Sequence, residues 1–129
     1  MTPATALNIM LNTKSSITSV LGHRQGPTIP LIQYGVLPEV ETALPCITFY
    51  SNSGDWDQCL RDYRFTINCY AETLFESEAL AMQIMEEFNE QDSGVSGFFA
   101  RTTCSIIGSI PDPTRNEVNT PIDFRIVNI

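Results

Sequence analysis

Two aspartates, Asp55 and Asp57, flank the only tryptophan, Trp56, and could form a carboxylate pair for acid–base chemistry. Both lie in the polar stretch of residues 51–58, whose Ser, Asn and Gly residues predict a loop. Aspartates in such loops usually cap turns and stay ionised. The pattern therefore favours a turn, and we expect no catalytic carboxylates here.

The single histidine, His23, is the other side chain to test for catalysis. It lies in a connector with Gly26 and Pro27, and no sequence motif supplies it with a nucleophile. The chain contains neither a Walker-type phosphate loop nor a dinucleotide-binding fingerprint. We therefore expect that the protein is not an enzyme. The enzyme alternative requires a substrate-dependent activity that Asp55→Ala or His23→Ala abolishes.

The cysteines are not spaced as in a zinc site. No two of them form a C-x-x-C pair, and His23 is distant from all of them in sequence. Three fall in strand-like runs, where a buried thiol packs as a small apolar side chain. We expect neither a metal nor another cofactor, and a reducing cytoplasm as the place of synthesis. The four cysteines are Cys46, Cys59, Cys69 and Cys104.

Composition and charge narrow the class of protein. A chain of 129 residues, 43% of them hydrophobic, suits one domain spanning residues 1–129 with a real core. Its formal net charge of −8 argues against a nucleic-acid-binding surface, which needs clustered Lys and Arg. We expect neither a signal peptide nor a membrane span, since no run approaches about 20 apolar residues. The basic residues are scattered: Lys14, Arg24, Arg61, Arg64, Arg101, Arg115 and Arg125.

The first predicted element is a helix. Thr2 and Pro3 supply a hydroxyl cap and a proline at the first helical position, and Gly22 suits the helix end. Its apolar stripe is interrupted at residues 13–16, and a strand is predicted at residues 29–36. The stripe consists of Leu7, Met10, Leu11, Ile17, Val20 and Leu21.

The middle of the chain predicts two strands and a second helix. Residues 44–50 form a proline-opened strand, and residues 63–70 alternate strictly between apolar and polar side chains. This period of two predicts a sheet with one buried side, formed by Tyr63, Phe65, Ile67 and Cys69. Thr73 and Glu76 fit a capping box for a helix that runs to about Asn89.

That second helix has a core side and an acidic side. The core stripe is Leu80, Ala81, Ile84, Met85 and Phe88. The outer face is Glu76, Gln83, Glu86, Glu87 and Glu90. These glutamates could bind a metal or a partner, but a solvated helix face is the reading we favour.

The C-terminal part predicts two further strands. Residues 98–110 suit an extended strand with a bend at Gly108, residues 111–116 a turn or protruding loop, and residues 121–129 a closing strand. Ile122, Phe124 and Ile126 should face inward on the closing strand. The element order is α-β-β-β-α-β-β. It predicts an α+β domain with a mostly antiparallel four- to five-stranded sheet packed by two helices.

Two features suggest a partner. Trp56 is a large apolar ring at a predicted loop tip; it either contacts a partner, as tryptophan often does in interfaces, or folds back onto the core. The strand at residues 98–110 should expose unpaired main-chain groups unless another chain covers its edge. A ring-forming protein could cover such an edge with its neighbour.

The order of elements, with several short hydrophobic signatures, resembles a known family. The signatures are residues 19–24, SVLGHR; residues 44–50, LPCITFY; residues 65–71, FTINCYA; residues 78–80, EAL; and residues 121–126, PIDFRI. Together they resemble the tail terminator, or tail completion, proteins of long-tailed bacteriophages and prophages. The resemblance covers nearly the whole chain and lies in layout, without one diagnostic motif.

The resemblance implies a hexameric ring on the head-proximal end of the tail tube. Such a ring stops tube polymerisation and joins the tail to the neck or connector protein, in a virion assembled in the bacterial host cytoplasm. Genome DNA passes through its central hole without specific binding. Six copies, each with a formal net charge of −8, carry −48 in total. An acidic lumen would repel the DNA phosphates, so DNA would slide through without sticking.

The resemblance supplies no catalytic residues, so the candidate sites are interface loops. We predict that two loops contact a neighbouring subunit, the tube protein or the neck protein. Their candidate residues are Ser53, Gly54, Asp55, Trp56, Asp57, Gln58, Pro111, Asp112, Pro113, Thr114, Arg115 and Asn116. Alternatives are a head-closure or connector protein, a tail-tube subunit, or, from another class, a small monomeric domain that binds a ligand or peptide.

Overall fold

The computed structural model describes residues 3–21, 32–35, 44–52, 62–95, 98–112 and 117–128. Within these ranges the chain forms three helices and seven strands. The helices are α1 (Pro3–Thr13), α2 (Ser15–Thr18) and α3 (Leu74–Phe88). The strands are β1 (Ile32–Tyr34), β2 (Cys46–Ser51), β3 (Asp62–Ala71), β4 (Gln91–Val95), β5 (Phe98–Ile106), β6 (Ile110–Asp112) and β7 (Glu117–Asn128).

The strands form a single mostly antiparallel sheet. Six of them are ordered β1-β2-β3-β7-β5-β4, and β6 pairs with the first residues of β7. Only the β1–β2 pair is parallel among the described strands. The longest pairing joins β3 to β7, from Asp62 opposite Val127 to Ala71 opposite Val118. The α+β class is confirmed.

The sheet has more strands than the sequence predicts. Gln91–Val95 forms β4 through pairing with β5, although its composition only marks the end of the preceding helix. Ile110–Asp112 forms β6 by pairing with Glu117, Val118 and Asn119. Both segments lack a clear period of two, so their extended conformation depends on a partner strand rather than on local pattern.

The prediction that the strand at residues 98–110 has an open edge is wrong. Phe98–Ile106 forms β5, which lies between β7 and β4 and is paired on both sides. The covering strand, Gln91–Val95, is the one that the sequence pattern did not indicate. Among the described strands, β1 and β4 end the six-strand order.

The helices pack on one face of the sheet and enclose the core. Phe65 and Ile67 of β3 lie beside Phe124 and Ile122 of β7 and are at most 1% exposed. The rings of Phe88 and Phe124 meet edge to face, with centroids 5.7 Å apart at 73°. This confirms the inward side of the closing strand and joins α3 to the centre of the sheet.

The opposite face carries none of the described helices and is called the helix-free face below; it is polar but shielded at its centre. Thr48, Thr66 and Asn68 are at most 8% exposed, so the expectation of one buried side is wrong for this part of β3. Flanking strands on both sides shield these side chains, and their polar groups are paired. Asn68 Nδ2 donates to Thr48 Oγ1 at 3.3 Å, and Asn119 Nδ2 donates to Asn68 Oδ1 at 3.0 Å.

The first predicted helix is divided in two where its stripe is interrupted. The chain leaves helical geometry at Lys14, whose carbonyl accepts hydrogen bonds from the backbone N–H groups of Ile17 and Thr18, each at 3.0 Å. The stripe residues are buried except Val20, which is 50% exposed beyond the end of α2.

Replacing Phe124 with Ala tests the position of the core. Removing a ring that is 0% exposed and contacts Phe88 should lower the free energy of unfolding by about 3–5 kcal/mol in urea denaturation. The control is Phe75→Ala, a ring 82% exposed, which should change it by about 0.5 kcal/mol or less. Equal losses from the two substitutions would contradict this core.

Candidate functional site

The structure places two of the predicted interface residues. Pro111 and Asp112 lie in β6, so the predicted loop at residues 111–116 is wrong for these two positions. A short strand tolerates Pro111 because an edge position does not require its missing N–H. The remaining predicted residues lie outside the described residues: Ser53, Gly54, Asp55, Trp56, Asp57, Gln58, Pro113, Thr114, Arg115 and Asn116.

Pro111 lies in an apolar groove between α3 and β6, called the α3–β6 groove below. The groove has a volume of about 470 Å³. Its walls are Leu74, Glu78 and Met82 of α3, with Ile106, Gly108, Ser109, Pro111 and Val118 from the strands. Pro111, a predicted interface residue, therefore lies beside side chains of α3. The sequence pattern assigned this helix only to the core and to solvent.

The outer side of α3 carries a ridge of alternating apolar and acidic side chains, called the α3 ridge below. Leu74, Glu78, Met82 and Glu86 recur every four residues, so they share one side of the helix. Leu74 and Met82 are each 50% exposed, and Phe75 beside them is 82% exposed. Neighbouring exposed apolar side chains of this kind are typical of surfaces that bind a partner.

Sequence reasoning missed this ridge. The stripe of Leu80, Ile84 and Phe88 explains burial on the opposite side, and the expected outer face contained only Gln and Glu. The i, i+8 spacing of Leu74 and Met82, two helical steps of four residues, was the available signal. The prediction that the outer face is solvated is also wrong at Glu87. Its carboxylate forms an ion pair with Lys14 at 3.6 Å and accepts a hydrogen bond from Ser16 at 2.8 Å.

Local sequence explains where α3 begins. The predicted cap is confirmed, since the Thr73 hydroxyl accepts from the backbone N–H of Glu76 at 3.2 Å. Glu76 also places a negative charge in the first turn, where the helix dipole favours it. The cap fixes the first turn of α3, and with it the direction of Leu74 and Phe75.

A chain of hydroxyl groups fixes the floor of the α3–β6 groove. Buried Ser77 donates to the carbonyl of Cys69 at 2.7 Å, so its 2.6 Å contact with Thr120 requires Thr120 to donate. Ser109 lies 3.0 Å from Thr120 and 3.2 Å from a carboxylate oxygen of Glu78. With one proton, Ser109 donates to only one of them at a time. The chain links α3, β3, β7 and the segment before β6.

Glycine shapes the strand connection beside the groove. The predicted long strand ends at Ile106, and Gly108 follows with φ of +147°, a conformation that L side chains rarely adopt. Ile107 N donates to the carbonyl of Pro121 at 3.0 Å. The turn leaves Ile107 and Ile110 64% and 59% exposed near the α3–β6 groove.

A second groove of about 470 Å³ lies between α2 and α3. Val20, Pro45 and Phe75 supply much of its apolar wall, and Ser16, Glu76 and Gln83 supply polar groups. Lys14 Nζ lies 5.7 Å from the centre of the Phe88 ring, in cation–π range. Together with the Lys14–Glu87 pair, this contact fixes α2 against α3.

The exposed end of the helix-free face has a different chemistry. Arg64 lies directly opposite Arg125 in the β3–β7 pairing, and both are exposed. Both arginines line a shallow cavity of about 280 Å³. The other residues that line it are Thr103, Cys104, Ser105 and Asp123. Arg101 also belongs to this face and forms an ion pair with Asp92 at 3.4 Å. These groups suit binding of a carboxylate or another anion.

The described cysteines are inert thiols rather than nucleophiles. Burial raises the pKa of Cys104 to about 11 and raises the pKa of Cys69 further, helped by the nearby Cys46. Within the described ranges, no three His, Cys, Asp or Glu residues cluster so as to hold a metal ion. None of the described helices is long and apolar enough to cross a membrane.

No protein-family model matches the chain, and no curated protein matches it either. The described surfaces that could bind a partner are the α3 ridge, the two grooves and the arginine-containing end of the helix-free face.

Replacing Ser77 with Ala tests the hydroxyl chain. Ser77 is fully buried, and its loss removes the hydroxyl that donates to the Cys69 carbonyl and accepts from Thr120. The free energy of unfolding should fall by about 1–3 kcal/mol. The control is Ser109→Ala at the half-buried end of the chain, which should cost about 0.5 kcal/mol or less. A larger effect of Ser109→Ala in urea denaturation would contradict the account.

Alkaline pH tests the burial of Cys104. The unfolded thiol ionises near its ordinary pKa of 9.0, whereas the folded thiol keeps its proton up to about pH 11. This group therefore lowers stability as pH rises from 9 to 11 and has no effect well below 9. Iodoacetamide labelling with peptide mapping at pH 8 should modify Cys104 much more slowly in the native protein than in urea. Equal rates would show that the thiol is exposed.

Proposed function

We propose that the chain is a structural protein of a long-tailed bacteriophage that forms a hexameric ring on the head-proximal end of the tail tube. The ring ends tube polymerisation and joins the tail to the neck or connector protein. It resides in the virion at the tail–neck junction, after assembly in the host cytoplasm. The tail-tube protein and the neck protein are its partners, besides copies of itself.

One observation carries this proposal: two unlike surfaces lie on opposite sides of the domain. The helical side exposes apolar and acidic groups along α3, including Leu74, Phe75 and Met82. The helix-free face exposes Arg64 and Arg125 at one end. Contacts between unlike surfaces of identical chains are heterologous, and they generate a ring when the rotation between neighbours closes.

The sequence layout supports the same proposal. The helix that carries Glu78, the closing strand and the β2–β3 pair belong to the layout that resembles tail terminator proteins, and each is present in the fold. These are features of an α+β domain in general, so they support the family less strongly than the two surfaces support association.

The charge distribution supports passage of DNA without specific binding. Six glutamates lie between Glu72 and Glu90, and that segment contains no Lys or Arg. A ring with a net charge of −8 per copy repels phosphates over most of its surface.

The same two surfaces also suit a second candidate, a tail-tube subunit. Heterologous contacts that do not close produce open filaments, so ring and tube differ in closure rather than in the kind of contact. A head-closure or connector protein is a further ring of the same class. The apolar grooves suit a monomeric peptide-binding domain, which would not associate with itself.

Adding the purified protein to assembling tail tubes tests the proposal. We expect tubes to become shorter as its concentration rises, because a bound ring blocks the end at which subunits add. Electron micrographs give the length distribution, and bovine serum albumin at equal concentration is the control. Unchanged lengths would contradict a terminator, and long cylinders of the protein alone would identify a tube subunit.

A further inference from the structure

We propose that the groove between α2 and α3, called the α2–α3 groove below, binds a segment of another protein. That segment carries apolar side chains with a lysine or arginine near each end. The groove lies on the flank of α3 that faces α2, whereas Leu74, Glu78 and Met82 of the α3 ridge line the groove on the other flank. The inference goes beyond the proposed ring and does not depend on it.

The α2–α3 groove presents apolar side chains that the fold itself leaves in water. Phe75 of α3 is 82% exposed, and Val20, which follows α2, is 50% exposed. Pro45 and Ala79 continue the apolar wall, and Leu80 is buried. A segment that covers Phe75 and Val20 removes this apolar surface from water, which favours binding.

Contacts between α2 and α3 hold the groove open in advance. The ion pair between Lys14 and Glu87 measures 3.6 Å, and Ser16 donates a hydrogen bond to the same carboxylate at 2.8 Å. Lys14 Nζ also lies 5.7 Å from the centre of the Phe88 ring. A partner therefore meets a groove whose two helices are already fixed, which lowers the cost of binding.

The charges around the groove specify a cationic partner. Glu76 lines the groove, and Glu86 is exposed three residues beyond Gln83 of the same wall. Within the described part of the chain, neither carboxylate has an ion pair or a hydrogen bond. Ten residues of helix place the two glutamates about 15 Å apart along the axis. A segment with a cation near each end of its apolar side chains complements this arrangement.

The partner is a different protein rather than a second copy. Lys14, Arg101 and Arg125 already interact within the chain. Among the described lysines and arginines this leaves Arg64, one cation for two carboxylates. Nucleic acid and anionic membranes are repelled by a chain with a net charge of −8. A basic amphipathic helix of another protein has the required apolar side and the required charges.

Fluorescence anisotropy with a labelled synthetic peptide tests the groove. The probe is a helix-forming peptide of about 14 residues with leucines at positions i, i+3, i+4 and i+7 and a lysine near each end. The control peptide has the same composition, but its leucines are rearranged so that they no longer share one side of the helix. The wild-type protein should bind the probe about tenfold more tightly, because only the probe places its leucines in the groove together.

Paired substitutions locate the site. Phe75→Ala should weaken binding about tenfold, whereas Met82→Ala, at a half-exposed residue on the other flank of α3, should leave it unchanged. Glu76→Gln should weaken binding about threefold and reduce its dependence on salt, and Glu78→Gln should do neither. Circular dichroism melts identify a variant that fails to fold, and Val20→Ala then replaces Phe75→Ala.

The outcomes separate this site from the proposed function. Equal binding of the two peptides, or equal effects of Phe75→Ala and Met82→Ala, would show that the α2–α3 groove is not the site. If Phe75→Ala converts wild-type rings into monomers in sedimentation, a second copy fills the groove and the proposed partner is wrong. A wild-type protein that stays monomeric but binds the probe at Phe75 would overturn the ring and support this inference.

Discussion

The antiparallel pairing of β3 with β7 is the constraint on which the other features depend. It runs from Asp62 opposite Val127 to Ala71 opposite Val118 and fixes the face to which every side chain of these two strands belongs. The same register places Phe65 beside Phe124 in the core and Arg64 beside Arg125 on the helix-free face. A slip of one residue would exchange these faces, so core packing also determines the position of the surface charges.

The parts of the fold that the sequence predicted are those with a strong local signal. The strand at residues 63–70, the cap at Thr73 and the inward side of residues 121–129 depend on neighbouring residues alone, and all three are confirmed. The strands β4 and β6 lack a period of two of their own and extend by pairing with the strand that follows each of them, so the sequence predicts a helix break at residues 92–94 and a turn from residue 111. Burial of Thr66 and Asn68 likewise results from flanking strands rather than from their residue types.

The candidate site was predictable only in part. Pro111 was chosen for its place between strands, and the structure places it in the α3–β6 groove beside Leu74 and Met82. The exposure of those two residues depends on how α3 rotates on the sheet, which the Ser77–Thr120 contact and the Phe88–Phe124 packing set. The opposition of Arg64 and Arg125 depends on strand register, which no local pattern encodes.

In the proposed ring, unlike faces of neighbouring copies associate, and the core, the hydroxyl chain and the strand register hold those faces in position. A cryo-electron microscopy reconstruction of the assembled protein tests it most directly. We expect a closed ring of six copies in which α3 of each copy lies against the helix-free face of its neighbour. A ring in which both surfaces face solvent, or an assembly with symmetric pairs of like faces, would contradict it.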